Sequence, residues 1–325
     1  MSEPVLEVER LHVWFELERG GELHAVQGVD FSLQPGERFG LVGESGCGKT
    51  TTILALMGLL PPSASVAGRV LLDGEDLLAR GEETVSPHRW TDIAMVFQGA
   101  MNAFNPVKRV GDQIAEPMKL HGIADGKEAR KQVGELLERV GIPAARAGSF
   151  PHEFSGGMRQ RAAIAMALSC EPKVLLADEP TTALDVMVQA QILQLLVELA
   201  DDLDLTLVLV THDLPIVAQV CPRAAVMYAG EIVEIGMTDT LYHDPRHPYA
   251  RLLFAATPDL SGDTEVVSIP GTPPRLDREI TGCPFAPRCD RTFGPCPTVK
   301  PRLLATGPGH EAACHLNDPA LKAAS

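Results

Sequence analysis

The chain has 325 residues, 45% of them hydrophobic and 22% charged, with a formal net charge of −15. That length allows one large domain or two with ample core, the composition excludes a disordered chain, and the acidity argues against a nucleic-acid polyanion as partner. No apolar run reaches the ~18 residues a membrane-crossing helix needs, and Met1-Ser2-Glu3-Pro4 lacks the basic-plus-apolar start of a secretion signal, so a cytosolic chain is expected that reaches any membrane through a partner.

Val5 to Phe15 alternates loosely as a strand, and Val29 to Leu33 alternates up to the turn Gln34-Pro35-Gly36-Glu37. Phe39-Gly40-Leu41-Val42 is the short apolar run of a buried parallel strand. It feeds Gly43-Glu44-Ser45-Gly46-Cys47-Gly48-Lys49-Thr50, which fits GxxxxGK[ST], and a helix is expected from Thr50 to Leu60, stopped by Pro61-Pro62. Small residues in such a loop let backbone N–H groups approach phosphate oxygens, and the helix N-terminus adds positive potential. Lys49 would then reach the β- and γ-phosphates, the Thr50 hydroxyl would ligate Mg²⁺, and Thr51 would join the loop in binding the nucleotide. Cys47 reads either as a small residue that fits the loop or as a thiol activated by the helix N-terminus, whose alkylation would block nucleotide binding.

Between about 99 and 170 the character changes to a helical insertion. Val133, Leu136, Leu137 and Val140 share one face of a helix over Lys127–Val140, ended by Gly141. Ser155-Gly156-Gly157 then opens a helix rich in Ala and Met. A Ser N-cap followed by two small residues makes a second anion site; in isolation it is equally a glycine-rich cap without a ligand. Since the chain already has a loop for its own phosphates, this second site would serve the γ-phosphate held by a facing chain. Val174 to Ala177 is a buried strand ending in two carboxylates. Asp178 would hold Mg²⁺ through water, and Glu179 would polarise the attacking water as general base. A helix near 186–201, a strand at Thr206–Val210, a helix near Asp213–Val220 and a hairpin through Ala229-Gly230 follow. Strands alternating with helices imply an α/β fold with a mainly parallel sheet.

After Met237, His243-Asp244-Pro245-Arg246-His247-Pro248 and Ile269 to Pro274 read as Pro-rich linker. Residues 275–325 read as a short irregular tail. Of seven cysteines, four lie there, Cys283, Cys289, Cys296 and Cys314, spaced Cys-x5-Cys-x6-Cys-x17-Cys. Four thiolates can bind Zn²⁺ or a [4Fe–4S] cluster. Cys170 and Cys221 read as buried fillers.

On these motifs in this order the chain resembles the nucleotide-binding subunit of an ABC transporter over roughly residues 5–240. The resemblance implies a P-loop NTPase domain over 1–240 with a mainly parallel sheet, an antiparallel β subdomain and the helical insertion, followed by an extension over 241–325. It implies ATP hydrolysis with Mg²⁺. Gln98, after Ile93 to Phe97, matches the Q-loop glutamine that senses Mg²⁺ and the membrane subunit. Ala183-Leu184-Asp185 matches the D-loop, and His212 the switch histidine on the γ-phosphate. Phe15 stands where an aromatic stacks on adenine, with Trp14 as the alternative. One departure is visible. Phe154 and Met158 flank Ser-Gly-Gly where the family more often has Leu and Gln.

Ser155 to Leu168, His247 to Leu253 and Gly282 to Cys289 resemble the ATPases of dipeptide and oligopeptide importers. That group also holds nickel and some glycoside importers. The resemblance implies a second ATPase subunit, a heterodimer before a homodimer, with two membrane permease subunits and an extracytoplasmic solute-binding protein, at the cytoplasmic face of the membrane and without nucleic acid. Some members carry a cluster in the tail. Together with the wide spacing and the Pro after Cys283 and Cys296, this points to [4Fe–4S]. Zinc, with His310 or His315 as substitutes, and plain reduced thiols are the alternatives. A nickel importer and a soluble ABC ATPase of DNA repair or translation are the rival functions. The second usually carries two cassettes or a long coiled coil, and neither is seen here.

Overall fold

The computed structural model describes residues 3–18, 20–99, 103–256 and 269–322, so Met1 and Ser2 of the N-terminal reading lie outside the described residues. In chain order the elements are β1 (Leu6–Glu16), β2 (Glu22–Leu33), β3 (Arg38–Val42), α1 (Lys49–Leu56), β4 (Ala64–Leu72), β5 (Glu75–Asp76), α2 (Glu82–His88), β6 (Ile93–Val96), α3 (Val110–Leu120), α4 (Gly126–Arg139), α5 (Gly156–Ala167), β7 (Val174–Asp178), α6 (Val186–Leu203), β8 (Thr206–Thr211), α7 (Leu214–Val220), β9 (Arg223–Tyr228), β10 (Glu231–Met237), α8 (Thr238–His243), α9 (Pro248–Ala255), β11 (Leu304–Gly307), β12 (His310–Ala312) and α10 (Pro319–Lys322). The chain divides into two compact units.

One unit takes Leu33–Glu37 and Ala79–Leu209 together with the first residues up to Leu6. In it β6 and β7 pair in parallel, from Ile93 opposite Val174 to Val96 opposite Ala177. Both strands are buried along their whole length, as uninterrupted apolar runs covered on two faces must be. The insertion packs α3, α4 and α5 against one another. Ala129, Val133 and Leu137 bury one face of α4 at helical spacing while its charged residues face water. Helix α5 runs close to α6: a Cβ at Gly157 would stand 2.7 Å from the Val188 side chain. Helix α3 contains Pro117, which as a helix breaker hides the element from a reading by periodicity and caps.

The other unit takes Glu7–Ser32, Arg38–Leu78 and Val210 onward. Its strands β2-β1-β4-β5 form a four-stranded sheet, with β4 and β5 antiparallel. A second set runs β11-β12-β10-β9-β3. Here β3 and β9 are parallel, and the other neighbouring strands are antiparallel. The β9–β10 hairpin turns through Ala229 and Gly230, both at positive φ (+51° and +84°), as a two-residue turn that follows the strand twist requires.

The tail departs from the expectation of an irregular segment. Strand β12 pairs with β10, Glu234 opposite Ala312, and so extends the sheet. Nor is the stretch 243–248 a linker. It is the short connection from α8 to α9, with His247 buried as the N-cap of α9.

Candidate functional site

The phosphate loop leaves β3 and closes on α1. Its path needs glycine at both ends. At Gly43 (φ +153°) a Cβ would stand 2.3 Å from the Met227 carbonyl oxygen, and at Gly48 (φ +109°), the N-cap of α1, 2.6 Å from the Ala25 carbonyl oxygen. Gly46 also takes positive φ, and its Cβ position is open, as is Ser45 to solvent. Lys49 is buried, with Nζ donating to the carbonyls of Gly43 (2.7 Å) and Glu44 (3.0 Å). Its ammonium therefore already lies within the loop. Thr50 stands exposed in the first turn of α1 and Thr51 is half-buried behind it. Thr52 is fully buried and donates to the Gly48 carbonyl, which fixes the start of the helix.

Cys47 decides between its two readings. It is 5% exposed, and burial pushes its thiol pKa up in spite of Lys49 at 3.7 Å. It is a small, inert residue of the loop rather than an activated thiol. Cys170 and Cys221 are buried fillers as expected, Cys221 being pushed up to about 12 by burial.

At the end of β1, Phe15 is half-buried. The neighbouring Trp14 lies ring to ring with His24 at 4.6 Å and His12 at 5.3 Å, both near-parallel. Burial lowers the pKa of both histidines, so neutral rings line this stack. His212, also in this unit, follows β8 directly and is exposed, while the Thr211 hydroxyl accepts from the Asp213 N–H at 3.0 Å.

In the other unit, Asp178 ends β7 and is 1% exposed. Glu179 follows in the left-handed region at φ +43°, a costly conformation for a residue with a Cβ. Its Oε2 accepts from Gln98 Nε2 at 2.8 Å and from the Thr182 hydroxyl at 2.9 Å. The structure thus brings together two residues that the sequence named 81 positions apart. The Thr182 contact has no sequence signal beyond its nearness. Ser155 Oγ caps α5 by accepting from the Met158 N–H (3.2 Å), with Gly156 and Gly157 in the first turn. The main-chain N–H of Met158, not its side chain, completes the cap, so the departure from Gln at this position leaves it intact. Asp185 caps α6 in the same way, accepting from the Val188 N–H at 3.0 Å.

Cys283, Cys289, Cys296 and Cys314 line one small pocket with Phe285 and Phe293, and the space between them is about 10 Å³, room for a single water. Burial raises the thiol pKa of three of them, Cys283 and Cys314 to about 11. The Arg291 N–H donates to Cys289 Sγ at 3.3 Å. Among the described residues no group of three or more His, Cys, Asp or Glu is set to hold a metal ion. The histidines offered as zinc ligands are engaged elsewhere, His310 Nε2 with Glu234 (2.7 Å) and His315 Nε2 with the Val299 carbonyl (2.8 Å).

Known proteins resemble these parts in the same order. The ABC transporter family matches residues 26–182, and the oligopeptide/dipeptide transporter C-terminal region matches 233–296. The dipeptide transport ATP-binding protein DppD of Bacillus subtilis is 48% identical over 322 residues, 97% of this chain and 96% of that protein. The oligopeptide transport ATP-binding protein OppD of the same organism is 48% identical over 290 residues, 87% of this chain and 81% of that one. Among solved structures, a dimeric ATP-binding cassette bound to ADP and phosphate superimposes with TM-score 0.64 at 28% identity, covering 72% of this chain and 98% of that one.

Proposed function

The chain belongs to the ATP-binding subunits of dipeptide and oligopeptide ABC transporters, and from that membership we infer that it hydrolyses ATP to drive the import of dipeptides or oligopeptides across the cytoplasmic membrane. The reaction is ATP + H₂O → ADP + phosphate. The loop Gly43–Thr51 holds the triphosphate, with Phe15 against the adenine. For this, Lys49 exchanges the Gly43 and Glu44 carbonyls for the β- and γ-phosphates. Thr50, Gln98 and Asp178 would be the residues to hold Mg²⁺, which would offset the charge of the triphosphate. Glu179 takes the proton of the attacking water and His212 steadies the γ-phosphate. Ser155, Gly156, Gly157 and Asp185 serve the ATP of a facing ATPase, in a heterodimer.

The observation that carries this assignment is the Glu179 carboxylate. It stands at the end of a wholly buried strand, on a strained backbone, oriented by two donors. Strain held in place by the surrounding structure marks groups that must not drift. No helix among the described residues is long and apolar enough to cross a membrane. From the family membership, coupling runs through two permease subunits, with a solute-binding protein delivering cargo. Residues 1–240 form the nucleotide-binding domain, with its helical subdomain near 99–170, and 241–325 the extension.

The four-cysteine pocket is read as the seat of a [4Fe–4S] cluster, which would brace the tail. Four thiols without a carboxylate between them suit iron–sulfur ligation, and the N–H on Cys289 Sγ is of the kind that tunes such a centre. The present spacing would have to open to admit it. Iron and acid-labile sulfide in anaerobically purified protein, lost in Cys283→Ser and Cys296→Ser, test this; bound zinc, or no metal at all, overturns it.

Uptake of labelled dipeptides, oligopeptides and nickel by cells carrying Glu179→Gln tests the main reading. Loss of a general base costs about 10²–10⁴ in turnover. Peptide uptake should therefore vanish while the protein stays membrane-associated and still binds ATP. Unchanged peptide uptake with lost nickel uptake would transfer the cargo to nickel.

A further inference from the structure

Glu44 is held by the C-terminal segment at two points. Its backbone N–H donates to the Tyr249 hydroxyl at 2.9 Å. Its carboxylate takes both arms of Arg288, Nη1 to Oε2 at 2.7 Å and Nη2 to Oε1 at 2.9 Å. Arg288 has a side chain only 4% exposed, and two further N–H groups donate, Nε to the Pro270 carbonyl (2.7 Å) and Nη1 to the Tyr228 hydroxyl (3.2 Å). A guanidinium is buried at this cost only where its geometry is fully used, and a bidentate fork is the strongest form of that use.

The placement gives the pairing a direction. Arg288 ends a short 3-10 turn over Ala286–Arg288, directly before Cys289. Phe285, which opens that turn, is 1% exposed, lines the cysteine pocket and packs on Tyr228 (5.3 Å) and Tyr249 (5.4 Å). The pocket, the turn and the loop are thus one continuous run of packed groups. Glu44 itself is a carboxylate within a loop that receives a polyanion. Left unpaired it would repel the triphosphate and be free to swing; paired with Arg288 it is neutralised and fixed.

We propose that Arg288 and Tyr249 are positioning residues of the phosphate loop, acting through Glu44, and that the C-terminal segment thereby sets the affinity for ATP. The proposal rests on the reading that ATP occupies this loop. Coupling is reciprocal: a tail that tightens the loop is itself tightened by ATP, to the same factor.

The test is ATP titration of the purified full-length protein, with hydrogen exchange of the segment 283–296 measured with and without ATP. Arg288→Met should weaken ATP binding about tenfold, within the usual range of coupling factors. Arg288→Lys, which keeps the charge and loses the fork, should fall between. Adding Glu44→Gln to Arg288→Met should recover part of the loss, because the unpaired charge is then gone. In the wild type ATP should slow exchange in 283–296, and in Arg288→Met it should not. A role in folding alone would lower the melting temperature and leave the ATP affinity of the folded protein at the wild-type value. If Arg288→Met does not fold, Arg288→Lys alone decides. Wild-type affinity and ATP-dependent exchange in folded Arg288→Lys overturn the proposal. Failure of the wild type to bind ATP overturns instead the reading beneath it.

Discussion

The phosphate loop and the C-terminal segment reach order by opposite means. The loop takes its path from its own backbone, with Glu44 tied in addition to Arg288 and Tyr249. Its turns need glycine, its lysine bonds to its own carbonyls, and the atoms nearest Gly43 and Gly48 are main-chain oxygens of Met227 and Ala25. The segment is held by buried polar side chains from distant positions. Glu234, 0% exposed, gathers the N–H groups of Arg246 (2.7 Å) and His247 (2.8 Å) and the ring of His310 (2.7 Å). A loop that needs glycine at Gly43 and Gly48 is sensitive to a Cβ added at either. A segment built on a buried network is sensitive to loss of a single charge.

The largest effect should come from the network. Glu234→Ala strands the buried His247 N–H and His310 ring, and frees the Arg246 N–H, and should cost about 3–5 kcal/mol of stability, read by denaturant unfolding. A loss below about 1 kcal/mol would mean that the segment is held by its apolar contacts instead.

Gly48→Ala should follow. The methyl group meets the Ala25 carbonyl and the residue must hold φ +109°. A strain of about 1–3 kcal/mol, roughly five- to 150-fold in ATP affinity, is expected, with little change in the tail. Affinity equal to wild type would show that the loop has slack.

Acid should loosen the segment by a smaller amount. His247 is 2% exposed, its Nδ1 accepts from the Tyr249 N–H, and burial lowers its pKa from 6.5 to about 3. The histidine is therefore neutral in the fold. Its contribution is complete above pH 6.5 and is lost as pH falls toward the folded value, at about 1.4 kcal/mol per unit, or roughly 2 kcal/mol between pH 6.5 and 5. His247→Asn, which keeps an acceptor but does not titrate, should lose less stability on acidification than the wild type. Parallel curves for the two would remove His247 as the cause.

The smallest effect should be at Cys47. A mild thiol reagent at pH 7.5 should leave it unlabelled in the native protein and ATP binding unchanged, because the thiol is buried and its pKa raised. Rapid labelling with loss of binding would restore the activated-thiol reading.

Much of the chemistry was legible in the residues alone. The glycine loop, Ser155-Gly156-Gly157, the strand ending in Asp178 and Glu179, and the Ala229-Gly230 hairpin are all local: short-range sterics and hydrogen bonding give each motif its shape wherever it occurs. Helix α3 was hidden by Pro117, because the periodicity rule treats proline as a stop although tertiary packing holds the helix through it. The connection 243–248 was hidden by its prolines and charges, because nothing in its spacing reveals Glu234 as the partner that orders it.

By itself, the order of motifs determined the fold class and the nucleotide, since each depends on residue type and near neighbours. Only the tertiary structure decided that Cys47 is shielded, that Gln98 grips Glu179, and that Arg288 clasps Glu44 across 244 positions. Burial and long-range pairing depend on where the folded chain brings distant atoms, and no local pattern encodes that distance.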